Sequence, residues 1–432
     1  METKIKSITN WIIRHKGELV VLFVFLLFAF GYNIYRVQGD GKLYYALLER
    51  TLNIPDPESA PNFLELGFLQ SICSFFNMPF YLAGYAIEKM LAAPILLKGI
   101  TLRSAFINIA SNFYIGASII LIFKILAMLN FKHRISSVLS ILFSTSAFVA
   151  AVVMPAYNHA VDVLIVTFFI YVILKRERML PIKSFWIGAV YSLAIASRYF
   201  NFVLIVPLLV MLMIKKDYSR IKYILFGFFS TIWILPVLFY YYNGSPFNPC
   251  FSQEAVGNVI HRMTLFPKYT FRYFVHPLHG LFVWSPVTIL SAIGLGVMPR
   301  DKKEIGYMFL AMWALIVMMN GYFFEWTAGW SFSNRYLTGL FPIYIVGLAA
   351  LAEKYGKRIV VLAAALTFYS VFLFFNWYMC VIDGGWGTPW NMIEAWQRGK
   401  FFYSTGKELN FRVFCEMMYE HSRYKYIFRG FN

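Results

Sequence analysis

Residues 184–214 read SFWIGAVYSLAIASRYFNFVLIVPLLVMLMI, an apolar run interrupted by one charge, Arg198. Such a run forms either one long helix with Arg198 at its middle or two short helices turning at 197–201. The flanks decide between them. Lys175, Arg176, Arg178 and Lys183 precede the run, and Lys215, Lys216, Arg220 and Lys222 follow it. Basic clusters mark the cytoplasmic ends of membrane segments, so two flanking clusters place both ends on one side and favour a pair of helices. Each arm then holds about 14 residues, or ~21 Å, against an apolar layer of ~30 Å. The turn carrying Arg198 is therefore expected to lie sunken below the outer surface, where irregular backbone is tolerated only beside a polar cavity.

The same parity organises the rest of the chain. Further clusters stand at Lys132/Arg134, Arg300/Lys302/Lys303 and Lys354/Lys357/Arg358, and the N-terminus is basic at Lys4, Lys6, Arg14 and Lys16. An even number of crossings between clusters gives helix pairs over 136–174, turning at 155–162, and over 306–352, turning at 325–335. Residues 223–298 form another pair with an outer loop at about 244–278, and 359–379 leads to an outer tail, 380–432. With a first, uncleaved helix over Leu19–Tyr32 and one at about 104–129, the expectation is an all-α polytopic membrane protein of about eleven transmembrane helices. Residues 1–379 form its membrane domain. The N-terminus is cytoplasmic in this reading, in a plasma or inner membrane. Residues 37–103 are the large first extracytoplasmic loop, whose apolar pieces, 63–76 and 79–87, are too short to span and read as interfacial amphipathic helices.

Composition agrees. The chain has 432 residues, 59% hydrophobic and 14% charged, with 45 Phe, 29 Tyr and 11 Trp. Soluble domains carry about 25% charged residues, so neither an ordinary soluble enzyme nor a disordered chain fits. The net charge of +18 does not indicate nucleic acid, because the basic residues sit in short clusters between apolar runs. Cys73, Cys250, Cys380 and Cys415 all fall on the outer side, either as disulfides or as buried apolar side chains.

Polar residues near membrane depth are costly, and here they gather at outer helix ends. Asp40, between Gly39 and Gly41, follows the first helix and is placed either to form a turn or to act as a general base. His159 and Asp162, three positions apart, share a helix face. They suit a sugar hydroxyl or, with a further ligand, a divalent cation; otherwise they are a self-satisfied helix start. Arg198 and Arg335 suit phosphate, which guanidinium binds with two parallel hydrogen bonds. His279 stands in His276-Pro-Leu-His279-Gly280. Glu325, Trp330, Asn334 and Arg335 share one outer turn and resemble a carbohydrate and phosphate surface. No Walker, dinucleotide-binding or HExxH motif is present.

The order of these features resembles the GT-C glycosyltransferases, in the branch with protein O-mannosyltransferases, the lipid A aminoarabinose transferase and rhizobial lipopolysaccharide sugar transferases. The resemblance runs from Asp40 to about Trp377. It rests on Gly39-Asp40-Gly41, Asp162, Gly244-Ser-Pro-Phe247, His279-Gly-Leu-Phe-Val-Trp-Ser-Pro286, and Trp330-Ser-Phe-Ser-Asn-Arg335-Tyr336 with Pro342. It implies a GT-C-like catalytic domain over 1–379. It further implies transfer of a sugar from a polyprenyl-phosphate donor to a lipid, glycan or protein acceptor at the extracytoplasmic face, with inversion. Asp40 would activate the acceptor, Arg198 and Arg335 with His279 would meet the phosphate, and His159, Asp162, Glu325 and Trp330 would meet sugar or acceptor. Many members pair two acidic residues in the first loop, whereas Gly41 follows Asp40 here. The alternative is a transporter or flippase for a lipid-linked or anionic substrate, although no internal repeat is visible.

Overall fold

The computed structural model describes residues 15–32, 45, 48–49, 52, 71–91, 101–153, 157–176, 180–234, 237, 240, 269–276, 280–322 and 332–382. Among these residues the chain is helical, without a strand. In order come α1 (Lys16–Tyr32), α2 (Ser71–Met90), α3 (Leu102–Met128), α4 (Arg134–Ser144), α5 (Ser146–Val152), α6 (Asn158–Lys175) and α7 (Phe185–Ser197). A 3-10 segment, Tyr199–Ile205, leads into α8 (Val206–Ile214), and α9 (Tyr218–Ile232) follows. The second half holds α10 (Thr270–Val275), α11 (Leu281–Trp284), α12 (Val287–Gly296), α13 (Lys303–Gly321), a 3-10 segment Arg335–Leu340, α14 (Phe341–Tyr355) and α15 (Lys357–Ile382).

Five helices are long and apolar enough to cross a membrane: α3, α6, α13, α14 and α15, with α13 and α14 each counted with its preceding 3-10 turn. The α4–α5 pair, bent by 69°, makes six if it is one span. The chain is thus a multi-pass membrane protein, helical and without strands among the described residues. The expected eleven spans are not reached among the described residues, because several are interrupted. Backbone turns extended at Thr145 and at Arg198, and Ser285 also leaves the helical region, before Pro286. Only the last break has a local cause, since a residue preceding proline is disfavoured in the helical region.

Two further expectations are corrected. Residues 71–76 and 79–87 are not separate pieces: α2 runs 20 residues, straight through Pro79, and packs on α3, while 63–70 lie outside the described residues. The turn expected at 155–162 ends earlier, because α6 already begins at Asn158 and takes His159 and Asp162 into its first turns. Cys73 is a buried thiol that accepts a hydrogen bond from the Asn77 amide at 3.5 Å. Cys250 and Cys415, and the Cys380 side chain, lie outside the described residues.

The paired-arm reading of 184–214 matches the geometry. The Tyr191 hydroxyl donates to the Phe202 carbonyl at 2.5 Å, and the Asn201 amide donates to the Ala194 carbonyl at 2.9 Å. A continuous helix would hold residues 191 and 202 about 16 Å apart. The chain instead doubles back at Arg198. Glycines let neighbouring helices approach. A Cβ at Gly188 of α7 would overlap the Ile224 carbonyl of α9, and one at Gly227 of α9 would overlap the Phe185 carbonyl. Gly294 of α12 and Gly347 of α14 meet in the same way. Small residues serve membrane helices well, because van der Waals packing replaces the hydrophobic drive that lipid removes.

The five internal basic clusters gather at one end of this bundle. The backbone N–H of Lys132 donates to Glu353 at 2.9 Å, and the Lys302 ammonium sits 5.7 Å from the Phe131 ring centroid. Lys215 pairs with Glu304 at 2.5 Å, and the Arg176 guanidinium meets the Met211 sulfur at 3.6 Å. Arg198 and Arg335 lie at the helix ends away from these clusters.

Candidate functional site

The site begins with α6. Tyr157 occupies the N-cap without a side-chain cap bond, and the Asn158 amide donates to the Ser197 carbonyl at 3.2 Å. This ties the start of α6 to the end of α7. His159 and Asp162, both buried, then point at the turn where α7 reverses.

Asp162 organises that turn. Its Oδ1 accepts from the Ser197 hydroxyl at 2.7 Å and from the Asn201 amide at 2.7 Å, one donor on each side of Arg198. Its Oδ2 has no hydrogen-bond partner among the described residues and lies 2.5 Å from where a Cβ on Gly339 would sit. Glycine at 339 is what admits the carboxylate. Ser197, Asn201 and Gly339 were not singled out as site residues from sequence.

Arg198 is extended (φ −156°, ψ 123°) and 8% exposed. Its Nη1 lies 3.3 Å from His159 Nδ1 and donates to the Arg335 carbonyl at 3.1 Å. The guanidinium carbon sits 5.2 Å from the Tyr336 ring centroid. Arg335 approaches the same ring at 5.9 Å and the Tyr157 ring at 5.7 Å. Two cations from chain positions 137 apart therefore share one aromatic ring, with the imidazole of His159 stacked beside Tyr157 at 6.0 Å. Arg198 has no carboxylate within ion-pair distance among the described residues, and Asp162 acts on it only at longer range.

The 332–340 segment is bound firmly. Ser333 has a left-handed backbone (φ 52°), a costly conformation for a non-glycine residue, and its hydroxyl meets that of Ser285 at 3.1 Å. The Asn334 side chain accepts from the Tyr336 backbone at 3.1 Å. The Thr338 hydroxyl donates to the Arg335 carbonyl at 2.6 Å and meets Ser146 at 2.7 Å. Behind them Tyr273 of α10 is fully buried near Asn334, and that burial pushes its phenol up.

Of the residues expected from sequence, His159, Asp162, Arg198 and Arg335 come together. Asp40, His279, Glu325 and Trp330 lie outside the described residues. As a cation site the pair is poor: no group of three His, Cys, Asp or Glu side chains forms among the described residues. His159 also faces two guanidinium groups, which would repel a divalent ion. Tyr336 follows Arg335 directly and was within reach of sequence reading, whereas nothing local marks Tyr273. No family model matches this chain, and no curated protein matches it. The arrangement suits an anion: guanidinium donors held beside aromatic rings, Arg198 buried and Arg335 half-buried, match phosphate.

Proposed function

We propose that this protein is an integral-membrane glycosyltransferase acting on a polyprenyl-phosphate sugar, with its site on the extracytoplasmic side. The observation that carries the reading is the convergence of Arg198 and Arg335 on Tyr336, away from the basic end of the bundle. The gathering of five basic clusters at the other end supports a cytoplasmic placement for that end. In the proposed step the acceptor hydroxyl attacks the anomeric carbon while Asp40 takes its proton. The bond from that carbon to the phosphate oxygen breaks with inversion. The charge released on the lipid phosphate falls to Arg198 and Arg335, a role His279 would share. His159, Glu325 and Trp330 would line the sugar and acceptor region, Asp162 would act through the turn it holds, and the acceptor is a lipid, glycan or protein.

The test is sugar transfer by the purified chain, with radiolabelled polyprenyl-phosphate sugars as donors and membrane lipids and glycans as acceptors. Transfer is expected for wild type, to be lost in Asp40→Asn and reduced in Arg198→Ala. A fully active Asp40→Asn removes the catalytic assignment. Because guanidinium takes the leaving-group charge, EDTA is expected to leave transfer unchanged. The helix breaks at Thr145 and Arg198 favour a second reading, a carrier, since transporters build sites from discontinuous helices. Donor binding without transfer by wild type, with accessibility alternating between the two faces, would decide for it.

A further inference from the structure

A groove of about 440 Å³ lies between α1, α4 and α15. Val24 and Phe28 of α1, Phe143 of α4, and Phe368 and Phe374 of α15 line it. Its volume falls among ligand pockets, which run about 300–1,000 Å³, yet its wall is almost wholly apolar. The three helices run side by side in one direction. Gly17 stands against Ile135 at their starts, the Thr367 hydroxyl donates to the Ser140 carbonyl at 3.3 Å, and Phe28 meets Phe143 edge-on at 5.0 Å further along. α15 is also the least enclosed of the spans, so the groove opens sideways to the surrounding layer.

All three helices begin at the basic end. Lys16, Arg134, Lys357 and Arg358 occupy their first positions, and none of the four is ion-paired among the described residues. Lys16, Lys357 and Arg358 are exposed, and Arg134 spends only its Nε, on the Phe131 carbonyl at 2.6 Å. The one carboxylate in these first turns, Glu18, meets His15 at 3.4 Å. Lys357 and Arg358 thus stand three and two positions before Val360 of the groove wall, Arg134 two before Ser136, and Lys16 eight before Val24, so positive side chains and helix N-termini share the end at which the groove begins.

We propose that this groove binds an anionic glycerophospholipid, its phosphate held at Lys357, Arg358, Arg134 and Lys16 and one acyl chain lying between α1 and α15 over α4. Charge at that end and apolar wall along the length match the two halves of such a lipid. The proposal rests on the membrane reading alone, not on sugar transfer, and the site lies at the end opposite Arg198.

The test uses the full chain, delipidated in detergent and titrated with dioleoyl phosphatidylglycerol or dioleoyl phosphatidylcholine, reading the thermal unfolding midpoint. Phosphatidylglycerol is expected to raise the midpoint at concentrations where phosphatidylcholine does not. Lys357→Gln with Arg358→Gln should weaken that response about 25-fold in concentration, roughly fivefold per cation, with the lipid-free midpoint unchanged. Ala364→Phe, at an exposed position on the groove wall, should abolish it. Equal responses to the two lipids, or a phosphatidylglycerol response undiminished in these variants, overturn the proposal. Should Ala364→Phe fold poorly, the Lys357/Arg358 pair decides alone.

Discussion

Asp162, 1% exposed, receives Ser197 and Asn201 on a single oxygen, and this places Arg198 beside His159 and Tyr336. The value of the residue therefore lies in one acceptor atom. Asp162→Asn keeps that acceptor and is expected to unfold close to the wild-type midpoint. Asp162→Ala leaves the Ser197 hydroxyl its second acceptor, the Ala194 carbonyl at 2.8 Å, but strands one buried N–H of Asn201, costing about 1–3 kcal/mol, and should lower the midpoint in the same detergent. Gly339→Ala would set a methyl 2.5 Å from Oδ2, an overpacking expected to cost about 1–3 kcal/mol. Arg198→Lys keeps the charge and loses the planar fork. Binding of a polyprenyl phosphate is then expected to weaken by about tenfold, measured by competition with the labelled donor. That His159, Asp162, Arg198 and Arg335 stand out was legible, since charged side chains in apolar surroundings are costly. The use of Asp162 was not, because an i,i+3 His/Asp spacing says nothing of what faces it.

Helices here are set by contacts that hydropathy does not register. α7 and α9 touch backbone to backbone through Gly188 and Gly227, and α12 meets α14 through Gly294 and Gly347. Gly227→Val is expected to separate α7 from α9 and with them the Arg198 turn. A lowered unfolding midpoint together with weaker donor binding would show it; unchanged values for both would show that the contact is dispensable. The reversal at Arg198 could be read from flanking charge, because both cluster positions constrain the number of crossings. The continuity of α2 could not. Proline lacks an N–H and ordinarily breaks a helix interior, but α2 is packed on α3, where Tyr114 donates to the Phe76 carbonyl in the turn ahead of Pro79 at 2.5 Å. Tertiary packing here outweighs the local penalty.

The whole molecule is polar along its helices, with the basic clusters at one end and the Arg198–Arg335–Tyr336 group at the other. In a cysteine-free background, Lys303→Cys and Lys357→Cys are expected to react with a membrane-impermeant maleimide from one face. Tyr199→Cys, 45% exposed in the native chain beside Arg198, should react from the opposite face. Labelling of all three from the same side would refute the arrangement and with it the proposed placement of the site. Intact cells and inverted vesicles supply the two directions of access.

From the sequence alone follow the helical membrane class, the common end of the basic clusters and the doubling back at Arg198. Transfer energies and charge placement act residue by residue, so they accumulate along the chain and can be read in order. The tertiary structure alone decided that Asp162 braces the turn, that Tyr336 carries two guanidinium groups and that three parallel helices enclose an apolar groove. Those contacts join residues 35, 39 and 137 positions apart, and they depend on how each helix is rotated against its neighbours, which no local pattern encodes.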